Sequence, residues 1–180
     1  MQYIGLLFLA LIVFLIYAYN KGVMARNFTS EAFATMDVYL KKRWDLVPNL
    51  LELVKQYAKH EEKLLTEVTE LRTQNYSALP TGEKINVNNQ LGKALTQILA
   101  VAENYPDLKA NQNYNLLMQQ LSAIEDDIAN ARKYYNGTVR LLNNYCDLFP
   151  TNLVAAKFGI ERGKMFEISA DERNNVKVDA

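Results

Sequence analysis

The sequence predicts an all-α protein. A single N-terminal transmembrane helix comes first, then an elongated antiparallel four-helix bundle, then a short C-terminal helix and strap. Three observations predict it. Residues 3–19, YIGLLFLALIVFLIYAY, carry no charge and no proline. Most of the remaining chain repeats its apolar residues at three- and four-residue intervals, the spacing of one helix face. Glycine and proline number only 7 and 4 in 180 residues, too few for a turn-rich sheet protein.

The apolar run is ~17 residues long, or ~26 Å as a helix, just enough for a hydrocarbon core of ~30 Å. Ile4, Leu7, Leu11, Phe14 and Ile16 represent its membrane-spanning surface. Tyr3 at one end and Tyr17 and Tyr19 at the other suit an aromatic belt. A cleaved signal would carry a basic segment before the run and a small-x-small site after it. Here Ala18-Tyr19-Asn20 follows, so a retained anchor is favoured over a signal or a buried core helix. Lys21 and Arg26 follow the run and nothing basic precedes it. The positive-inside rule then places the short N-terminus outside and the body in the cytoplasm.

The first body helix is expected over 20–43, marked by Val23, Phe28, Ala32, Met36, Tyr39 and Leu40, with a weak point at Thr29-Ser30. A second is expected over 46–73, capped by Asp45, with Pro48 tolerated in its first turn. Val47, Leu50, Val54, Tyr57, Leu64, Val68 and Leu71 mark its face. Residues 74–82 read as a loop ending in Thr81, the cap of a third helix that carries Ile85, Leu91, Leu95, Ile98, Val101 and Ala102 up to Tyr105-Pro106. The fourth, over 111–147, keeps its rhythm from Leu117 through Leu121, Ile124, Ile128, Ala131, Tyr135, Val139 and Leu142 to Cys146, with a possible kink at Asn136-Gly137. Pro150 ends it. Thr151 can cap a short helix closed by Phe158-Gly159. Met165, Phe166 and Ile168 read as a docking strap and residues 171–180 as a frayed polar tail. The organisation expected is an anchor over 1–20, a bundle over 21–148 and a C-terminal segment over 149–180.

Lys plus Arg and Asp plus Glu both number 20, so no net field favours nucleic acid. The single cysteine, Cys146, excludes an internal disulfide and a cysteine-based zinc site, and reads as a small apolar filler.

Several strings in order resemble the LemA family. They are DVYLKKRWDLVPNLLE at 37–52, VKQYAKHE at 54–61, YPDLKANQNY at 105–114, EDDIANARKYYN at 125–136, and Phe149-Pro150. The likeness covers about residues 20–168 of the chain. Two places depart from the family: Trp44 stands where histidine is frequent, and the strap reads Gly163-Lys-Met-Phe where a proline is frequent. The resemblance implies a bacterial membrane protein with one N-terminal helix, a short outer N-terminus and a helical body. It implies no established enzymatic activity. One relative is implicated in forming magnetosome membranes, and some members are encoded beside a membrane zinc protease.

Candidate chemistry is sparse. His60-Glu61-Glu62 opens like a zinc-protease motif, but Leu64 stands where the second histidine is needed. Asp126 and Asp127 are adjacent and diverge on a helix, so they form no acid–base pair. No phosphate-binding glycine loop and no nucleophile beside a base is visible. Asn27, Asn75 and Asn136 head sequons that carry no meaning in a cytoplasmic bacterial body. Lys41-Lys42-Arg43 reads as compensation of a helix C-terminus, or as a partner patch. Asp37, Arg43, Asp45, Glu125 and Arg132 read as an inter-helix ion-pair and capping network, or as a shared functional surface. With Lys41, Lys42 and Tyr135 they make the candidate interaction surface.

The function expected is a non-enzymatic, membrane-anchored scaffold of the bacterial inner membrane. Its partners are the lipid bilayer and further copies of itself, with no cofactor and no nucleic acid. The alternative is an adaptor for another membrane protein such as a zinc metalloprotease. Self-association was expected to cover Val139, Leu142 and Cys146 unless the 151–168 strap does so.

Overall fold

The computed structural model describes residues 2–58 and 60–166, and these are all-helical, with no strand among them. The elements are α1 (Gln2–Tyr57), α2 (Glu62–Leu71), a 3-10 turn (Tyr76–Ala78), α3 (Thr81–Ala102), α4 (Pro106–Ala110), α5 (Gln112–Asp147) and α6 (Thr151–Phe158). Ile168 and the polar tail lie outside the described residues.

The largest departure from expectation is α1. It runs unbroken for 56 residues, through the anchor, the expected turn at 44–46 and Pro48. Asp45 is therefore an interior helical residue that pairs with Lys41 one turn back, and caps nothing. Pro48 removes one i→i−4 bond, a loss of about 3 kcal/mol in an isolated helix. The burial around it sustains the helix: Leu40, Arg43, Trp44, Val47, Leu50 and Val54 are all buried. Instead α1 ends at Tyr57 and α2 begins at Glu62, and the sequence between them holds neither glycine nor proline. There the Glu61 N–H donates to the carbonyl of Ala58 at 3.2 Å, closing a turn.

The chain divides into two compact units, one holding Met36 and everything before it with Ala131–Phe166, the other holding Asp37–Asn130. These do not follow the boundaries at 20 and 148, because α1 and α5 each pass through both. In each unit the partner on α5 falls in number as the residue on α1 rises. Ala18 meets Tyr145 and Phe33 meets Tyr135 in the first. Arg43 meets Glu125 and Tyr57 meets Asn111 in the second.

In the first unit the buried face of α1 is small: Ala18, Gly22, Thr29 and Ala32 precede Met36. Phe28, expected on this face, is 50% exposed. Large apolar residues were the wrong guide, since close approach of two helices selects residues with little side chain. At Gly22 an added Cβ would lie 2.5 Å from Ile160 Cδ1 and 2.6 Å from the Tyr145 ring. The helix is unbroken at Thr29, whose hydroxyl donates to the Ala25 carbonyl at 2.9 Å. On α5, Tyr114, Leu121, Ile128, Tyr135 and Leu142 are buried at every seventh position, the spacing of a coiled-coil seam. The helix is unbroken through Gly137.

The strap after α6 is stitched to α5 by side-chain amides. Asn136 Nδ2 donates to the Phe166 carbonyl, and the Phe166 N–H donates to Asn136 Oδ1, both at 2.8 Å. One heptad on, Asn143 exchanges the same two bonds with Gly163, at 3.2 and 2.9 Å. Each asparagine thus imitates a peptide group and satisfies an otherwise orphaned backbone pair. Gly159, at φ 64°, supplies the left-handed turn that sends the chain back. The strap covers Val139 and Leu142, which are buried, and Cys146 packs on the Leu142–Tyr145–Ala155–Ile160 cluster. The ground on which these three were expected to recruit another copy is therefore gone.

The caps expected at Thr81 and Thr151 are helical first residues instead. The Thr151 hydroxyl turns back to the carbonyls of Tyr145 and Leu148, at 2.7 and 2.9 Å. Asn111 is the cap that geometry confirms, its Oδ1 accepting from the N–H groups of Asn113 and Tyr114.

Two outcomes are expected. Gly22→Ala should destabilise the fold by about 1–3 kcal/mol through overpacking against the Tyr145 ring, read by thermal melting. Asn143→Ala should raise amide hydrogen exchange at Gly163 while leaving that of α3 unchanged.

Candidate functional site

The polar residues of the 37–52 and 125–136 strings are drawn into two networks, one in each unit. In the second unit Arg43 lies at the centre. It projects from the buried face of α1 and is 2% exposed. Its Nη1 donates to both carboxylate oxygens of Glu125, at 2.9 and 3.2 Å. Its Nη2 donates to the backbone carbonyl and to Oδ1 of Asn88 on α3, at 2.8 and 3.1 Å. The planar fork of a guanidinium suits such two-sided bonding, and an ammonium does not.

Asn88, also buried, continues the chain by donating to Tyr76 Oη at 3.0 Å and to the Lys84 carbonyl at 2.9 Å. Tyr76 Oη donates to Asp37 Oδ1 at 2.6 Å, and Lys84 Nζ donates to Asp37 Oδ2. Trp44 packs its ring on Tyr76 with centroids 5.0 Å apart, and the Arg72 guanidinium lies over the indole at 5.6 Å. One polar chain therefore ties α1, the 3-10 turn, α3 and α5 together. Buried polar networks of this kind define register more than they add stability.

In the first unit Arg132 lies over the Phe166 ring at 4.6 Å, and Tyr135 Oη donates to the Lys164 carbonyl at 2.8 Å. Both hold the strap on α5. Asp37, Arg43, Glu125, Arg132 and Tyr135 thus do internal work. Of the eight candidate interaction residues, Lys42 and Asp45 are exposed and Lys41 is partly so. Sequence reasoning missed Asn88, Tyr76, Asn136 and Asn143. Only Asn136 lay in a quoted string, and nothing in single-sequence pattern separates a buried asparagine from a surface one.

The chemistry available here is limited. Burial first, then the hydrogen bond to Asp37, pushes the Tyr76 phenol well above its ordinary 10.0, so it is not a base near neutrality. Burial, then Asp147, raises the Cys146 thiol above its ordinary value, making it a poor nucleophile. Among the described residues no three His, Cys, Asp or Glu side chains come together to hold a metal ion. A groove of about 290 Å³ in the second unit runs between Glu52 and Gln56 of α1 and Asn113 and Leu116 of α5, with no nucleophile in its lining.

The remaining candidate surface is apolar. Residues 2–17 of α1 are exposed without exception. Among the described residues α1 is the one helix long and apolar enough to cross a membrane. Farther along the first unit, Met24 and Phe28 on α1 and Tyr134 and Leu141 on α5 are each at least half exposed.

A family model described as the LemA family matches residues 32–179. Magnetosome proteins MamQ 1 and MamQ 2 of Paramagnetospirillum magneticum are each 25% identical over 184 residues, covering 88% of this chain and 68% of theirs. Protein LemA of Metamycoplasma hominis is 25% identical over 169 residues, covering 92% of this chain and 77% of its own. These relatives and the N-terminal apolar helix together indicate a membrane protein.

Removing the central cation should be costly. Arg43→Met is expected to destabilise the fold by about 2–3 kcal/mol, below the ~3–5 for a fully buried pair because Glu125 is half exposed, and Arg43→Lys should not restore it. The raised phenol has a definite sign. Its folded pKa lies above its unfolded one, so stability is full below pH 10.0 and falls as pH rises beyond it. Tyr76→Phe should remove part of that alkaline decline, measured by denaturant titration at several pH values.

Proposed function

The chain belongs to the LemA family, and we propose that it is a non-enzymatic, membrane-anchored scaffold whose first unit self-associates in the plane of the bilayer. Residues 2–17 form the single span, with the N-terminus outside and the body in the cytoplasm of a bacterial inner membrane. The body is an elongated antiparallel four-helix bundle. The observation that carries this reading is the exposed apolar face of the first unit. Met24 and Phe28 follow the span directly on the same helix, and Tyr134 and Leu141 lie seven residues apart on α5. Residues at that spacing form one stripe, and the strap leaves them uncovered while burying Val139 and Leu142. Copies sharing one bilayer carry their spans in the same direction, so the stripe suits closed rotational symmetry. The names of the MamQ relatives, which tie them to magnetosomes, support a role in organising membrane.

The adaptor reading for another membrane protein draws on less. Most of the residues proposed for that contact bond inside the protein, and Lys41, Lys42 and Asp45 remain as its surface.

In native-lipid nanodiscs, particles should hold more than one copy. In a Cys146→Ala background, Leu141→Cys should cross-link in membranes where Leu116→Cys does not, and Met24→Glu should abolish the cross-link. Strictly monomeric particles without a Leu141→Cys cross-link would favour the adaptor. Topology has its own check: protease added to intact spheroplasts should leave the 72–80 segment uncut.

A further inference from the structure

We infer that residues 148–158, the end of α5 and helix α6, form a second membrane contact, a foot lying in the headgroup and acyl boundary of the bilayer. This rests on the reading that residues 2–17 span that bilayer.

The geometry begins at the end of the uncovered run. Ala18 is the first buried residue of α1, and the group that covers it is the C-terminal end of α5: Tyr145 Oη donates to the Ala18 carbonyl at 2.7 Å. One turn on, Gly22 faces Tyr145 and Ile160 at distances that leave no room for a Cβ. Tyr19 packs its ring against Phe158 at 4.8 Å. The last contact holds the end of α6, and the other two hold the neighbouring Tyr145 and Ile160, at the level where α1 loses its protein cover. That level is the membrane surface if the run spans.

Helix α6 then has an unusual composition for such a place in water. Its Val154 and Ala155 are buried, with Ala155 in the cluster formed by Leu142, Tyr145 and Ile160. The residues just before it and its other face add large exposed apolar side chains, of which Phe158 meets Tyr19. Leu148 is 62% exposed, Phe149 79%, Leu153 62% and Phe158 52%. Four large apolar side chains side by side on a short segment exceed the scattered exposure of an ordinary surface.

Depth follows from direction. In this unit α5 advances toward lower numbers on α1. Leu148 and Phe149 lie three and four residues past Tyr145, so they reach ~5 Å beyond the level of Ala18, alongside the end of the apolar run. A depth of ~5–10 Å is where the apolar face of an interfacial helix sits. Lys21 and Lys157, both exposed, flank the foot with positive charge suited to lipid phosphate. Tyr17 and Tyr19 provide aromatic rings at the same level. The bilayer, continuous with the surface that already covers residues 2–17, is the occupant this placement selects.

The test uses the full chain with Cys146→Ala, reconstituted in phosphatidylcholine and phosphatidylglycerol vesicles. An environment-sensitive fluorophore is placed on a single cysteine at Phe149, Leu153, Leu11 or Leu116. All four positions are exposed, so the label displaces no core contact. With shallow spin-labelled lipid, emission from positions 149 and 153 should be blue-shifted and quenched several-fold more than from 116. With deep spin-labelled lipid, position 11 should be quenched most. Quenching at 11 with 149 and 153 behaving like 116 would remove the foot and leave the span intact. No quenching at 11 would remove the span and the foot together. A signal at 149 and 153 that follows protein-to-lipid ratio, and not the spin label, would assign the face to a second copy and overturn the lipid assignment.

Discussion

The structure depends on the continuity of α1. One unbroken helix carries an uncovered apolar surface over residues 2–17 and a buried stripe from Ala18 to Val54. The two surfaces share a backbone hydrogen-bond ladder, and no hinge separates anchor from body. A hinge would need a glycine pair, an inserted side chain or a proline free to bend the ladder. Gly5 and Gly22 are isolated, and Pro48, itself half-buried, sits between the buried Val47 and Leu50. A rotation or tilt of residues 2–17 is therefore transmitted to the first turns of the body as a rigid movement.

That constraint explains the character of the two units. Near the span, α1 presents alanine, glycine and threonine, and the partner helix fills the space with Tyr145 and Tyr135. Close approach of backbones replaces bulk as the source of contact, and a strap bound through Asn136 and Asn143 completes the cover. Farther along, the stripe changes to Leu40, Arg43, Trp44, Val47 and Leu50, and three other elements gather round it. A buried arginine in that stripe is tolerated because both terminal nitrogens find acceptors, Glu125 on α5 and two oxygens of Asn88 on α3, while Nε is left without one. The conspicuous charged motif is thus an organiser of the fold. A surface reading of it would have sought a partner where the partners are the protein's own helices.

The functional surface that remains is defined by what the protein leaves uncovered. The strap buries the positions that looked most in need of a second copy, and so moves the weight to Met24, Phe28, Tyr134 and Leu141. At the other end of the same unit, Phe149, Leu153 and Phe158 lie beside the level where α1 emerges from cover. Two apolar surfaces on one small unit, one lateral and one turned toward the span, suit a protein whose surroundings are both lipid and its own kind.

Much was legible in the residues themselves. The uncharged run, the flanking lysine and arginine, the long heptad-like face of α5, and the scarcity of glycine and proline determined an all-helical chain with an apolar N-terminal helix. The strings at 37–52 and 125–136 determined the family. These signals are local: they depend on composition and period within one helix. Tertiary structure decided what local signals cannot. It kept α1 helical through Asp45 and Pro48, because burial of Trp44, Val47 and Leu50 outweighs a missing hydrogen bond. It ended α1 at Tyr57, where no glycine or proline announces a turn. It turned Arg43, Asp37 and Glu125 inward, since a charge is buried only where distant residues satisfy it, and Asn88 and Tyr76 lie tens of residues away in sequence. It put glycine and alanine at the contact of α1 with α5 and left Phe28 half exposed, because the distance between two helices is a property of both.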